Sequence, residues 1–142
     1  MRELLKARLR AAGVAAEAEQ VEKLAAFHEL LTGANARMNL TRVSADPAEA
    51  IDRNYLDSLS PLAHLSGAKT CVDVGSGAGF PGVPLAIFLP DTHFVLMDSL
   101  LKRVEFLRGV IKELSLNAEA VCLRAEEAGR GDMRERFDAA TA

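Results

Sequence analysis

The sequence predicts an α/β fold in which a helical amino-terminal segment, residues 1–66, packs on a Rossmann-like core of parallel strands, residues 67–142. Three observations carry this. Beyond Gly67, short apolar runs alternate with helical patterns, and that alternation builds a parallel sheet with right-handed crossovers. The first of these runs breaks into Gly75, Gly77, Gly79 and Gly82 before helical composition resumes. Before residue 67 the apolar residues recur only at helical spacing.

Taken in order, Leu5, Leu9 and Ala12 line one face of a first helix that Gly13 ends. Val21, Leu24, Phe27 and Leu31 do the same for a second, expected to close near Thr32-Gly33. Arg2, Lys6, Arg8 and Arg10 fall on or near one polar side, which either meets phosphate or is a solvated face. A third helix has Asp46 as N-cap, Pro47 at its first position and Glu49 closing a capping box. Ile51, Tyr55 and Leu59 form its apolar stripe, and Ser60-Pro61 breaks it. Thr70 to Val74 fits a buried parallel strand. The helix after Pro81 stops at Pro90, and a second strand runs from His93 to Met97, ending on Asp98. A helix from Leu100 to Leu114 presents Leu101, Val104, Leu107, Ile111 and Leu114 on one face. Ala118 to Leu123 reads as a third strand and Phe137 to Thr141 as a fourth.

Strand, glycine loop and helix start form a turn at which backbone N–H groups approach a ligand with no Cβ in the way. Two registers compete there. From Gly77 the loop matches the dinucleotide pattern G-x-G-x-x-G, which keeps a nicotinamide-dependent oxidoreductase open. That pattern wants its first glycine to close the strand, and Gly75 already does so. From Gly75 the loop is Asp-x-Gly-x-Gly-x-Gly, with Asp73 inside the strand end. That arrangement resembles motif I of the Rossmann-like methyltransferases, whose cofactor S-adenosylmethionine brings an ammonium and a sulfonium rather than a pyrophosphate. A loop that is purely a structural turn is the bland alternative. Asp98, at the tip of the next strand, is placed to accept from ribose hydroxyls, with Ser99 capping the helix that follows.

The composition bounds the partners. With 17 basic and 20 acidic residues the net charge is −3, so any nucleic-acid contact must come from a local patch. Cys71 and Cys122 fall in strands without metal-like spacing and read as buried reduced thiols of a cytoplasmic protein; no metal site is expected. Neither follows a proline or sits at a strand exit, against a cytosine methyltransferase nucleophile. His28, His64 and His93 are scattered and read as structural. No apolar run approaches membrane-spanning length, and Met1 to Arg10 is amphipathic and charged rather than a signal peptide, so no membrane partner is expected.

Three passages together resemble one family. They are Met38-Asn39-Leu40-Thr41 with Arg53-Asn54-Tyr55-Leu56-Asp57-Ser58-Leu59, the loop Asp73 to Gly82, and Asp98-Ser99-Leu100-Leu101-Lys102-Arg103 with Arg124-Ala125-Glu126-Glu127. They are similar to the bacterial 16S ribosomal RNA guanine-N7 methyltransferases, the glucose-inhibited division protein B family. The resemblance implies methyl transfer from S-adenosylmethionine to a guanine of 16S rRNA, as naked RNA or in the small ribosomal subunit. It implies that Gly75, Gly77 and Phe80 hold the methionine end of the cofactor, and Asp73 and Gly79 of the same loop are further expected cofactor-binding residues. Asp98 and Ser99 would take the ribose, Ala125 and Glu126 the adenine edge, and Lys102, Arg103 and Arg124 would contact RNA phosphate. Guanine N7 already has an exposed lone pair, so no general base is required and no catalytic residue is assigned. Asn54 stands where the family usually has histidine. Family members also run on past the fourth strand. The sheet is therefore expected to stop short at that strand, in the order third, second, first, fourth, with an uncovered edge open to self-association. A non-catalytic cofactor- or RNA-binding module is the further alternative.

Overall fold

The structure, a computed structural model, describes residues 1–131 and 136–142. Helix α1 (Arg2–Ala11) ends at Gly13, whose φ of 74° lets the Val14 N–H return to the Leu9 carbonyl at 2.9 Å. Leu5 and Leu9 are buried, but Ala12 lies past the last helical turn and is exposed. Helix α2 (Ala18–Met38) does not close near Thr32-Gly33 as expected. Leu31 and Ala34 are buried on either side of Gly33, and that packing outweighs the roughly 1 kcal/mol that glycine costs inside a helix. Asn39, in the left-handed region at φ 53°, ends it instead.

The third predicted helix is α3 (Pro47–Ala50), a π-helical stretch (Ile51–Leu56) and α4 (Asp57–Leu59) in continuous succession, followed by α5 (Leu62–Leu65). The Asp46 carboxylate accepts from the Ala48 N–H at 3.1 Å. Glu49 does not complete a capping box. The Ser44 hydroxyl takes the Asp46 N–H at 3.1 Å and itself donates to Glu49 at 2.6 Å, standing between the two ends of that box. Ile51, Tyr55 and Leu59 are buried as the spacing predicts. Three of the four basic residues on that side of α1 pair within the molecule: Arg2 with Glu22 at 2.7 Å, Lys6 with Glu3 at 3.3 Å and Arg8 with Asp52 at 3.0 Å, while Arg10 is exposed.

Strands β1 (Thr70–Val74), β2 (His93–Asp98), β3 (Ala118–Cys122) and β4 (Ala139–Thr141) form one parallel sheet in the order β3-β2-β1-β4. The third and fourth strands are shorter than the sequence suggests, because Leu123 and Phe137 lie beyond the paired register. Helices α6 (Gly82–Phe88), α7 (Leu101–Leu114) and α8 (Ala125–Arg130) complete the described elements. One sheet face, with Cys71, Phe94, Leu96 and Ala120, shares a single apolar cluster with α1, α2, α6 and α7. The other face carries Val72, Val95 and Met97, met by Ala128 of α8. On α7 the buried residues are Val104, Leu107, Val110 and Leu114, while Leu101 is 54% exposed. Leu101 opens the helix at the carboxyl edge of the sheet, before the chain packs over β2 and β3. Cys71 is buried, but Cys122, the last residue of the edge strand β3, is exposed.

Gly33 is solvent-exposed inside α2, with nothing within 4 Å of where a Cβ would stand. Gly33→Ala is therefore expected to raise the unfolding free energy by roughly 0.5–1 kcal/mol in urea titration. A loss of stability would mean that the helix breaks at this point.

Candidate functional site

At the carboxyl end of β1 the chain turns on glycines of two kinds. Gly75 (φ 70°) and Gly77 (φ 57°) border open space: a Cβ at Gly75 would meet nothing within 4 Å, and one at Gly77 only the Gly75 carbonyl at 3.9 Å. Their positive φ disfavours any side chain even so. Gly79 and Gly82 are packing glycines. A Cβ at Gly79 would lie 2.8 Å from Val83 Cγ2, and one at Gly82 would lie 2.5 Å from both Asp73 Oδ2 and Leu96 Cδ2. Gly75 closes the strand, so the chain turns in the register that begins at Gly75 and not at Gly77.

Two buried carboxylates hold this turn. Asp73 is fully buried; its Oδ2 accepts from the Gly82 N–H at 3.1 Å and its Oδ1 from the Thr141 hydroxyl at 2.9 Å. It thus joins the start of α6 to the end of β4 from behind the loop. Burial pushes its carboxyl above the usual range, opposed by the Ser76 and Thr141 hydroxyls and the Gly82 N–H. Asp98, 5% exposed, holds the front: Oδ2 accepts from the Gly77 N–H and Oδ1 from the Leu100 N–H, both at 2.9 Å. The Leu100 contact starts α7 without Ser99, whose side chain caps nothing among the described residues. A carboxylate offers about four acceptor positions, so Asp98 retains capacity for a further donor.

Beside this front lies a cavity of about 480 Å³, within the range of small-ligand sites. Gly75, Asp98 and Ser99 line it from the loop and β2, and Ala125 and Glu126 from the start of α8. Met97, Leu100 and Leu123 add apolar walls. Five of the predicted cofactor residues therefore meet in one cavity. Asp73, Gly77, Gly79 and Phe80 do not line it. Phe80 instead packs with Phe27 and Tyr55, ring centroids 5.5 and 5.6 Å away, and borders a separate cavity of about 380 Å³.

The three predicted RNA contacts do not form one patch. Arg103 and Arg124 line the 480 Å³ cavity, and Arg103 Nη1 stands 3.7 Å from Asp98 Oδ2. Arg103 Nε is buried with no hydrogen-bond partner among the described residues. Lys102 is exposed beside Leu30, Ala34 and Phe106, on the side of α7 that meets α2. Sequence reasoning missed the place of Arg103. The helical step from Lys102 carried the signal, since adjacent residues on a helix point about 100° apart. Thr141 was also missed, because its role depends on the β1–β4 register. Among the described residues no group of three or more His, Cys, Asp or Glu could hold a metal, and no helix is long and apolar enough to cross a membrane.

Residues 20–142 match the family model GidB, rRNA small subunit methyltransferase G. The chain is 43% identical over 125 residues to the ribosomal RNA small subunit methyltransferase G of Desulfitobacterium hafniense, covering 87% of this chain and 52% of that protein. It is 48% identical over 120 residues to the protein of the same name in Yersinia enterocolitica, covering 84% and 57%. The chain thus spans about half the length of these relatives. Among solved structures it is similar to the O-methyltransferase of Bacillus cereus in complex with SAH, with a TM-score of 0.51 at 21% identity over 68% of this chain and 42% of that one.

The Asp73 tether is open to test through pH. A carboxyl whose folded pKa is raised adds stability that is fully present below its unfolded value, near 4, and lost as pH rises through the folded value. Wild-type stability relative to Asp73→Asn is expected to fall as the pH is raised from about 4 to 7 in denaturant titrations. A difference that stays flat would contradict the burial. Asp73→Ala, which strands the Gly82 N–H, is expected to cost about 1–3 kcal/mol.

Proposed function

The chain belongs to the rRNA small subunit methyltransferase G family, and on that premise we propose that it binds S-adenosylmethionine and takes part in methylating N7 of a guanine in 16S rRNA. The observation that carries the reading is the open front of the glycine turn, at Gly75 and Gly77, beside a cavity bordered by Asp98, Ala125 and Glu126. In this reading Asp98 and Ser99 take the ribose hydroxyls, and Met97, Leu100 and Ala125 enclose the adenine, with Glu126 at its edge. Gly75, Gly77 and Phe80 receive the methionine end. Asp73 and Gly79 serve from behind, the first by holding Gly82 and the second by packing under Val83 and Phe27.

The cofactor, once bound, supplies a methyl group made electrophilic by its sulfonium. The protein's own task is to orient the acceptor and exclude water, because N7 needs no deprotonation. The 16S rRNA, or the small subunit containing it, is the proposed partner. Lys102 and Arg124 are kept as phosphate contacts, while Arg103 is assigned to the cofactor cavity as well. The edge strand β4 and the apolar groove of about 420 Å³ beside Val72, Val74 and Phe137 favour self-association of this chain, which sedimentation velocity would detect as mass above 15.2 kDa. Nothing in the fold or the relatives favours the nicotinamide alternative.

Titration calorimetry with S-adenosylhomocysteine tests the cofactor assignment. Gly75→Val is expected to abolish binding while the chain stays folded. Arg103→Ala is expected to weaken it several-fold, and Lys102→Ala to leave it unchanged. Wild-type binding by Gly75→Val would refute the site. For RNA, replacing Lys102 and Arg124 together is expected to lower the salt dependence of binding to small-subunit rRNA by about two phosphate contacts. An unchanged slope would return both to the solvated surface.

A further inference from the structure

The cavity of about 380 Å³ on the other side of the glycine turn carries, besides Phe80, polar residues that the cofactor reading does not use. Phe80 and Pro81 of the turn form one wall, and Arg53, Asn54, Asp57 and Ser58 form another. Those four residues span the junction between the π-helical stretch and α4. A π-helical turn is wider than an α turn, and such turns are frequent where side chains are re-aimed toward a site. Ile51 and Tyr55 stay buried through it, so the wide turn keeps its apolar stripe while Asp57 borders the cavity.

The four polar residues differ in how far they are committed. Ser58 is buried and its hydroxyl donates to the Asn54 carbonyl. Arg53 pairs with Glu49 at 3.1 Å on an exposed surface, a contact that exchanges easily for another anion. Asp57 is exposed, and its main-chain carbonyl accepts from Ser60 at 2.8 Å. Among the described residues no hydrogen bond or ion pair engages its carboxylate. A committed acid in this molecule looks different: Asp73 and Asp98 each hold two donors.

We infer that this cavity receives the acceptor base and that the Asp57 carboxylate reads the N1–H and N2–H₂ edge of guanine. The inference rests on the guanine-N7 reading above and names the residue that selects the base. An ionised carboxylate only accepts, and it accepts two parallel donors. Guanine alone among the four RNA bases offers two adjacent donors on its Watson–Crick edge. Adenine and cytosine pair a donor with an acceptor there, and uracil sets one donor between two carbonyls. The same edge lies across the ring system from N7, so holding it leaves N7 free to face the turn. Phe80 supplies an apolar wall against which an unstacked base can rest, as single-stranded RNA bases do on aromatic side chains. Arg53, at the rim, is placed for the adjoining phosphate.

The test uses the whole chain with saturating S-adenosylhomocysteine and three short single-stranded pyrimidine oligoribonucleotides. Each carries one guanine, inosine or adenine at the same central position. Binding is followed by fluorescence anisotropy at low salt. The guanine oligonucleotide is expected to bind about 5–10-fold more tightly than the inosine one, which lacks the N2 amine, and more tightly still than the adenine one. Asp57→Asn and Asp57→Ala are each expected to erase the guanine-over-inosine preference while leaving the calorimetric affinity for S-adenosylhomocysteine unchanged. A preference that survives both variants overturns the inference, as does a wild-type chain that binds all three alike or none. Failure of S-adenosylhomocysteine to bind the wild type would instead strike the cofactor reading, and the oligonucleotide series repeated without it still decides on Asp57.

Discussion

The Asp73 carboxylate, buried with no access to solvent, is the constraint from which the rest of the core follows. Taking a carboxyl out of water is costly unless donors meet it, and one meets each oxygen: the Gly82 N–H and the Thr141 hydroxyl. One comes from the first residue of α6 and the other from the last residue of β4, so the bonds form only when both elements are docked on β1. Residue 82 must also be glycine, since a Cβ there would overlap the same carboxylate. Asp98 repeats the device one strand over, clamping Gly77 from the front. The loop is therefore gripped from both sides, which leaves Gly75 and Gly77 facing open space in a fixed shape.

The amino-terminal helices act on the same turn through packing. Phe80 stacks among Phe27 of α2 and Tyr55 of the π-helical stretch, and Tyr55 hydrogen-bonds His28 Nδ1 at 2.7 Å. Burial raises the Tyr55 phenol pKa and lowers that of His28, so the pair sits as two neutral partners near pH 7. The helices that cover the sheet and the glycine turn thus share one set of aromatic contacts. A change in the helical segment that shifts Tyr55 would be felt at Phe80 and the cavity of about 380 Å³ that it borders.

Much of this was legible in the chain itself. The strand from Thr70 to Val74, the tip at Asp98 and the stripe Ile51, Tyr55, Leu59 are where the pattern predicts, because each follows from a strong period or a glycine break. The order of the strands was legible only through family resemblance, and five residues expected at the cofactor do line one cavity. What was not legible depends on tertiary contact. Gly33 reads as a stop until α2 is seen to bury Leu31 and Ala34 on both sides of it. Asp73 reads as a ligand residue, yet it sits behind the loop, a distinction only the pairing with Thr141 reveals. Lys102 and Arg103 are neighbours in sequence but border different cavities from different sides of α7.

The central claim is that two internal carboxylates shape the loop before any ligand arrives. Amide hydrogen exchange resolved at Gly77 and Gly82, with and without S-adenosylhomocysteine, tests it most directly. The account predicts that both amides are strongly protected in the free chain and that the ligand changes them little. Exchange at unfolded-chain rates in the free protein, with protection appearing only on binding, would contradict it.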